Sequence, residues 1–354
     1  MNNQAVEIYR NAYILPHRSS NINTYGLGGV VDENRIYVQS SAFSICSHNP
    51  AIPDWGGDYD FDDYEEVKCN APIIYGGFIN NNEWGHFIAD WSTRLWYALD
   101  NEYDILFCSR EKAPFQVHRN IVKLIEIIGI SFERIHIVMS EEPVQRFSEI
   151  IVPECSLTYN KQTKNFLAPF RRAVENISFT SVSQYSKVYL TRTQMKPCKE
   201  FGEEAIELLF CQMGYKVIAP ETLSVEEQIE LFASCEYLAS LNGSAPHGVV
   251  FSKRLKEQII IEKNAARNGR QEMINKLLGI RISYLRAHTH TFDTDDVSGP
   301  FLIGVTSDIK KFARRNGIVM EIPYWQWICN FFRVITYKIR GFFTHVKRYV
   351  LERI

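Results

Sequence analysis

The run from Lys187 to Glu262 constrains the fold of this chain more than any other stretch. Short β-prone segments and helical ones alternate along it without a break. Val188-Tyr189-Leu190 reads as a strand, and Glu203 to Met213 carries Ile206, Leu209 and Phe210 at helical spacing. Gly214 stands where a helix C-cap glycine belongs. Tyr215 to Ile218 is the next strand, stopped by Pro220, and Ser224 with Glu227 forms a capping box that opens a helix through Phe232. Tyr237 to Leu241 is a third strand running into the turn Asn242-Gly243-Ser244-Ala245-Pro246-His247-Gly248, and a further strand ends at Glu262. Alternation of this kind builds a parallel sheet with helices on both faces, and such sheets take ligands at the carboxyl ends of their strands. Arg192, just past the first strand, and the turn at 242–248 therefore face one crevice in this reading.

With 354 residues, the chain has room for about two domains of roughly 150 residues each. A 45% hydrophobic and 23% charged composition is that of a globular protein, and a net charge of -2 gives no reason to expect nucleic acid as a partner. The eight cysteines form no CxxC pair, and Cys211 and Cys235 lie in apolar runs, which predicts reduced, buried thiols of a cytosolic compartment. The first twenty residues lack a signal-peptide layout, and no window of about 18 uncharged apolar residues exists to span a bilayer.

The first fifty residues read as β-rich, with Arg35 to Val38 the clearest strand. Asp54 to Glu66 is acidic; Asp58, Asp60 and Asp62 have the spacing of a metal clamp by letter alone, and a surface loop is the reading that short acidic runs of this sort favour. Ile73 to Ile79 is a strand. Residues 82–100 follow as a helix with Trp84, Phe87, Ile88, Trp91, Leu95 and Leu99 near a helical period. His86, Asp90 and Arg94 are four apart on that helix, either as functional groups or as a surface stripe with an Asp90–Arg94 ion pair. Alternation continues through a strand at Ile105 to Phe107, a helix at Val117 to Gly129 and strands at Ile135 to Met139 and Glu149 to Pro153. Residues 154–186 form a connection with one helix. Met273 to Leu278 and Ile282 to Leu285 extend the second half, Thr291 to Ser298 is an acidic loop, and Ile309 and Phe312 begin another helix. These features place an N-terminal domain at 1–180, a C-terminal domain at 181–322 and a distinct tail at 323–354.

In the tail, Ile328, Phe332, Ile335, Ile339, Phe342, Val346 and Tyr349 recur every three or four residues, beside Arg333, Lys338, Arg340, Lys347, Arg348 and Arg353. A basic amphipathic helix with Trp325 and Trp327 suits an anionic membrane surface; docking on the protein's own core is the competing reading.

Asn82 to Asp90 (NEWGHFIAD), Leu190-Thr191-Arg192, the segment from Pro220 through Phe232 and the turn after Leu241 together resemble glycosyltransferase family 61. The turn departs from the family's usual H-G-A-G-L-T-N, since Asn242 stands at the histidine and Pro246-His247 at Leu-Thr. The resemblance implies a GT-B-type α/β fold of two Rossmann-like domains facing across a cleft. Donor nucleotide would lie on the C-terminal domain and acceptor on the N-terminal one. It implies inverting, metal-independent transfer without a cofactor, from a nucleotide-sugar (UDP-linked in this reading) to a glycan or lipid-linked acceptor in bacterial surface (capsular) polysaccharide synthesis. The expected location is the cytoplasmic face of the membrane. On that reading Asp90 is the base and His86 its helper, and Arg192, Asn242, Gly243, Ser244, His247 and Glu262 bind the donor. Asn82, Trp84 and Arg94 serve the acceptor. Arg192 has its own physical rationale, because a forked guanidinium at a strand's carboxyl end can grip two phosphate oxygens. Two other readings remain open: a polysaccharide pyruvyltransferase-like enzyme, and a non-catalytic scaffold of polysaccharide assembly.

Overall fold

The computed structural model describes residues 5–22, 25–45, 53–79, 83–180, 185–196, 199–289, 299–320 and 324–351. Asn82 and the acidic loop at 291–298 lie outside them. The chain divides into two compact units, described here one at a time. The first comprises Met1–Ser178 together with His247–Phe251 and Gly269–Gly279; the second comprises Phe179–Pro246, Ser252–Asn268 and Ile280–Ile354.

The first unit is built on β1 (Val6–Arg18), β2 (Leu27–Val31), β3 (Glu66–Ile79), β4 (Asp104–Ser109), β5 (Ile135–Val138) and β6 (Val144–Pro153). They form one sheet in the order β2-β1-β6-β3-β4-β5, parallel from β6 to β5 and antiparallel at β1 and β2. The interior of the sheet is apolar along whole strands, as Ile105, Leu106, Phe107 and Cys108 in β4 illustrate, which is the pattern of a sheet covered on both faces. The strand expected at Arg35 to Val38 is instead a turn: Arg35 has φ 62°, and only Tyr37 pairs, as an isolated bridge to Val31. The β-branched Ile36 and Val38 suggested a strand, but Asp32 accepts from the amides of Asn34 and Ile36 and closes the turn.

The helix expected over 82–100 is broken. The first piece, α1 (Trp84–Ala89), ends at Asp90, a 3₁₀ turn covers Trp91–Arg94, and α2 (Leu95–Ala98) follows. Ser92 and Thr93 donate their hydroxyls to the carbonyls of Ile88 and Asp90, tying up the backbone where the helix gives way. Two further helices, α3 (Arg119–Ile128), ended by Gly129 at φ 95°, and α4 (Ala168–Asn176), cover the sheet.

The second unit holds β7 (Lys187–Leu190), β8 (Glu200–Phe201), α5 (Glu204–Gln212), β9 (Lys216–Ile218), α6 (Val225–Ser234), β10 (Tyr237–Leu241) and β11 (Glu257–Glu262). After α7 (Gly269–Leu278), which belongs to the first unit, come β12 (Arg281–Arg286), β13 (Phe301–Leu302), α8 (Ser307–Arg315) and α9 (Tyr324–Leu351). Five strands form a wholly parallel sheet in the order β12-β11-β10-β7-β9. The expected capping box at Ser224 and Glu227 is present, and it starts α6. Tyr189, Ala239, Leu241, Ile259 and Ile261 point to one face, where Ile206, Leu209 and Phe210 of α5 and Ile309 and Ala313 of α8 cover them. Cys235 is buried as expected, whereas Cys211 is exposed, because it lies on the outer side of α5.

Within this sheet β7 has β9 on one side and β10 on the other, so the chain reverses its direction of winding between β7 and β10. That is the topological switch point, the place where open α/β sheets leave a crevice at the carboxyl edge. Thr191-Arg192 and Asn242-Gly243 are the residues that leave the two strands there.

Candidate functional site

At the carboxyl edge of the second unit's sheet, two cations share one buried carboxylate. Arg192 Nε lies 2.9 Å and Lys263 Nζ 2.7 Å from Glu200 Oε1. Burial pushes the Glu200 carboxyl up, but the charges of Lys263 and Arg192 outweigh it and hold the acid below its ordinary range. Burial likewise pushes the Lys263 ammonium down, opposed by Glu200. Three formal charges thus sum to +1, and Arg192 keeps a quarter of its side chain exposed. The glycine of the turn adjoins this group: a Cβ placed on Gly243 would stand 3.9 Å from Arg192 Nη1. Lys263 was not singled out in the sequence; its position one residue past β11, on the strand next to the switch point, is the feature that would have found it.

Beneath Arg192 lies a second carboxyl of opposite character. The Arg192 amide donates to both Glu203 carboxyl oxygens at 3.2 Å, and the Tyr189 hydroxyl donates to Oε1 at 2.9 Å. Burial pushes this acid up to about 8, although both hydrogen bonds pull the other way. Glu203 is therefore largely protonated at neutral pH, and it fixes the backbone from which the Arg192 side chain departs.

Asn242, expected to contact donor, is buried and holds the protein's own backbone. Its amide donates to Asn264 Oδ1 (2.7 Å) and the Ala266 carbonyl (3.2 Å) and accepts from the Lys263 amide (2.9 Å). It shapes the loop after β11 and aligns Lys263. Ser244 is half-buried in the turn, and Glu262, at the end of β11, accepts from Arg267 at 2.8 Å, with Arg267 stacked on Tyr284.

In the first unit, the polar cluster forms around α1. His86 Nδ1 lies 2.6 Å from Asp90 Oδ2. Arg270, at the start of α7, donates Nε to Asp90 Oδ1 at 2.9 Å and Nη2 to Oδ2 at 3.3 Å, and reaches the Tyr25 hydroxyl at 3.3 Å. Asp90 is 1% exposed and His86 24% exposed, so the histidine, and not the aspartate, is the solvent-facing member. A carboxylate only accepts, so Nδ1 carries the hydrogen, and in a neutral ring the lone pair sits on Nε2. Arg270 is the second residue of these clusters that the sequence did not single out; it lies 180 residues from Asp90 in a polar stretch with no motif of its own.

His247, expected to bind donor, belongs to this first unit. It is buried, with Nδ1 2.7 Å from Gln271 Oε1, and Gln271 donates on to Asn275. Burial pushes its imidazole down to about 4, so it is neutral at pH 7 and packs as a polar strut. Arg94 is also corrected. The 3₁₀ turn after Asp90 rotates it away from α1's face and into the core, 1% exposed. Its guanidinium donates to the carbonyls of Pro153 (2.8 Å), Ser40 (2.7 Å) and Ala42 (3.2 Å). It fills space that Gly77 leaves, where a Cβ would approach Nη1 to 2.8 Å. Neither acceptor contact nor an ion pair with Asp90 is open to it. Trp84 is half-buried at the start of α1.

A cavity of about 670 Å³ opens at the opposite, amino edge of the second sheet, lined by Lys187, Tyr215, Tyr237, Glu257 and Arg281 among others, away from the Arg192–Glu200–Lys263 cluster. Among the described residues no group of three or more His, Cys, Asp or Glu is placed to hold a metal ion.

Among solved structures, the chain is similar to the bacterial iron-containing dodecameric glycosyltransferase TibC of enterotoxigenic E. coli H10407. Identity is 10% and the TM-score 0.28, over 66% of this chain and 63% of that one, less than two thirds of its length. A second structure, the dodecameric iron-containing heptosyltransferase TibC in complex with ADP-D-beta-D-heptose, matches at 11% identity and TM-score 0.33 over 95% and 94% of the two chains. Likeness at these scores carries no weight here. No curated protein matches. The sequence of residues 84–259, about half of the chain, matches the family model of glycosyltransferase 61. That segment holds α1 with His86 and Asp90, the strand before Arg192 and the turn after β10, so the chain belongs to glycosyltransferase family 61.

Proposed function

We propose that the protein transfers a sugar, with inversion and without a metal ion, from a nucleotide-sugar donor to a hydroxyl of a glycan or lipid-linked acceptor. As the family resemblance implies, the donor diphosphate lies at the carboxyl edge of the parallel sheet and the acceptor on the first domain, in GT-B fashion. The observation that carries the reading is the Arg192–Glu200–Lys263 cluster at the switch point of a family 61 chain. A departing diphosphate gathers negative charge, and a preorganised pair of cations with one compensating acid offers it a net positive site. Glu203 and Asn242 act through that cluster, the first by fixing the Arg192 backbone and the second by fixing Lys263.

Inversion by single displacement also needs a base for the acceptor hydroxyl. The geometry favours His86 over Asp90 in that role, because Asp90 is buried and engaged by both His86 and Arg270. Asp90 then orients the imidazole and shares the positive charge that forms on it, and Arg270 fixes Asp90. Surface polysaccharide synthesis is the setting the resemblance implies.

A panel of UDP-, GDP-, ADP- and CMP-linked sugars, read by melting temperature and then by transfer to a lipid-linked acceptor, tests the reading. One donor should stabilise the wild type, by about 3 kcal/mol at a hundredfold excess over Kd. Arg192→Lys should weaken that donor about 10- to 100-fold, since an ammonium cannot reproduce the two-pronged grip. Stabilisation by no nucleotide favours the scaffold, and pyruvyl transfer from phosphoenolpyruvate favours the pyruvyltransferase.

A further inference from the structure

The helix α9 has two apolar faces, and among the described residues one of them packs on the protein while the other is exposed. Trp327, Phe331, Val334 and Tyr337 pack on Phe201 of β8 and Leu302 of β13, with Val334 fully buried. Buried Asn330 lies on the same side, and Arg333 pins the helix through Glu204 at 3.4 Å and across the Phe201 ring at 5.2 Å. The single stripe expected from the sequence is thereby divided. Trp325, Cys329, Phe332, Thr336, Ile339 and Phe343 recur at spacings of four and three and are all exposed. At 3.6 residues per turn they fall within roughly 80° of one another and about opposite the docked side chains. Trp325, Phe332, Phe342 and Phe343 are each 60–65% exposed and Ile339 is 50% exposed.

Exposed aromatic side chains in this number on one helix mark an interaction face. Its charge says which kind. From Tyr324 to Leu351 the sequence has five basic residues (Arg333, Lys338, Arg340, Lys347, Arg348) and no acidic one. A second copy laid against the same face would bring like charge to like charge, whereas an anionic lipid surface supplies the opposite sign. No described helix is long and apolar enough to cross a membrane, so a helix of this kind lies in the interface plane. We propose that α9, held to the second unit by its Trp327–Val334 face, binds an anionic bilayer through the Trp325–Phe332–Phe343 face.

The test is cosedimentation of the full chain with vesicles of phosphatidylcholine containing 30% phosphatidylglycerol, and with phosphatidylcholine alone; it reads binding independently of sugar transfer. Binding is expected to the anionic vesicles only, and to weaken as salt is raised, because screening shortens the attraction. Phe332→Ser combined with Phe343→Ser should cut the partition about a hundredfold, roughly tenfold per ring, with the melting curve unchanged. Lys338→Gln with Arg340→Gln should weaken binding to anionic vesicles by about thirtyfold, at roughly 1 kcal/mol per basic residue, with binding to phosphatidylcholine alone unchanged. Three results would overturn the proposal. They are no binding to anionic vesicles, undiminished binding by the double Phe variant, or a wild-type dimer in light scattering that the double Phe variant dissolves.

Discussion

The carboxyl edge of the second sheet and the α1 cluster of the first unit use the same residue types in opposite ways. At the sheet edge the charged pair is shared, with two cations on Glu200, and the buried group beneath it, Glu203, is neutral because burial holds its proton on. At α1 the buried group, Asp90, is held by both His86 and Arg270, and the histidine is the more exposed of the pair, at 24%. On the proposed reading, an edge that holds a diphosphate keeps surplus positive charge, and a base that takes a proton keeps its partner acid out of water. The difference would then be a division between binding and proton transfer, and it can be broken at either end.

The largest effect is expected at α1. His86→Ala should lower kcat by about 10²–10⁴, the usual worth of a positioned base, with donor affinity unchanged. Asp90→Asn should lower kcat too, but should also destabilise the fold, because it leaves Arg270 as a half-buried cation without its carboxylate. If Asp90 were itself the base, His86→Ala would cost much less than Asp90→Asn in kcat. Single-turnover rates of the two variants, measured beside their melting temperatures, decide between the roles.

The two regions also differ in how much of them could be read from sequence. At the sheet edge, elements are short, local and regularly capped, so the strands from Val188 to Glu262, the Ser224–Glu227 box and the position of Arg192 followed from neighbouring residues alone. Around α1 the outcome depends on contacts far apart in the chain. Apolar spacing runs on from Trp84 to Leu99, yet Ser92 and Thr93 turn the backbone at Asp90, and that rotation puts Arg94 in the core. Arg270 comes from 180 residues away, and His247 packs in the first unit, where Gln271 of α7 accepts its hydrogen. In α9 the aromatics recur so densely that any stripe can be drawn through them; only the packing of Val334 shows which side is inside.

Arg94 gives the next largest effect, and one of a different kind. Arg94→Met should cost about 3–5 kcal/mol of stability, because one buried carbonyl and two half-buried ones lose their donor, each worth roughly 1–3 kcal/mol when left unpaired. Urea midpoints measure it. A variant as stable as wild type, but with a raised KM for acceptor, would return Arg94 to the acceptor site.

The smallest effect separates the two regions by pH. Glu203 has a folded pKa near 8 and an ordinary carboxylate value when unfolded, so the native state holds a proton that the unfolded chain has lost. Its contribution to stability is fully present below about pH 4.5 and is lost as pH rises through 8. His247 works in the reverse sense. Its folded value is about 4 against an ordinary 6.5, so its contribution is present above 6.5 and is lost as pH falls towards 4. The two oppose each other between about 4.5 and 6.5, and only Glu203 acts between 6.5 and 8. Wild type should therefore lose about 1–2 kcal/mol more than Glu203→Gln across that upper interval, allowing for partial ionisation near 8. Equal slopes for the two proteins in urea titrations at pH 6.5, 7.2 and 8 would mean that Glu203 is ionised in the fold. The neutral platform beneath Arg192 would then carry a charge, and the donor edge would hold no surplus positive charge for a diphosphate.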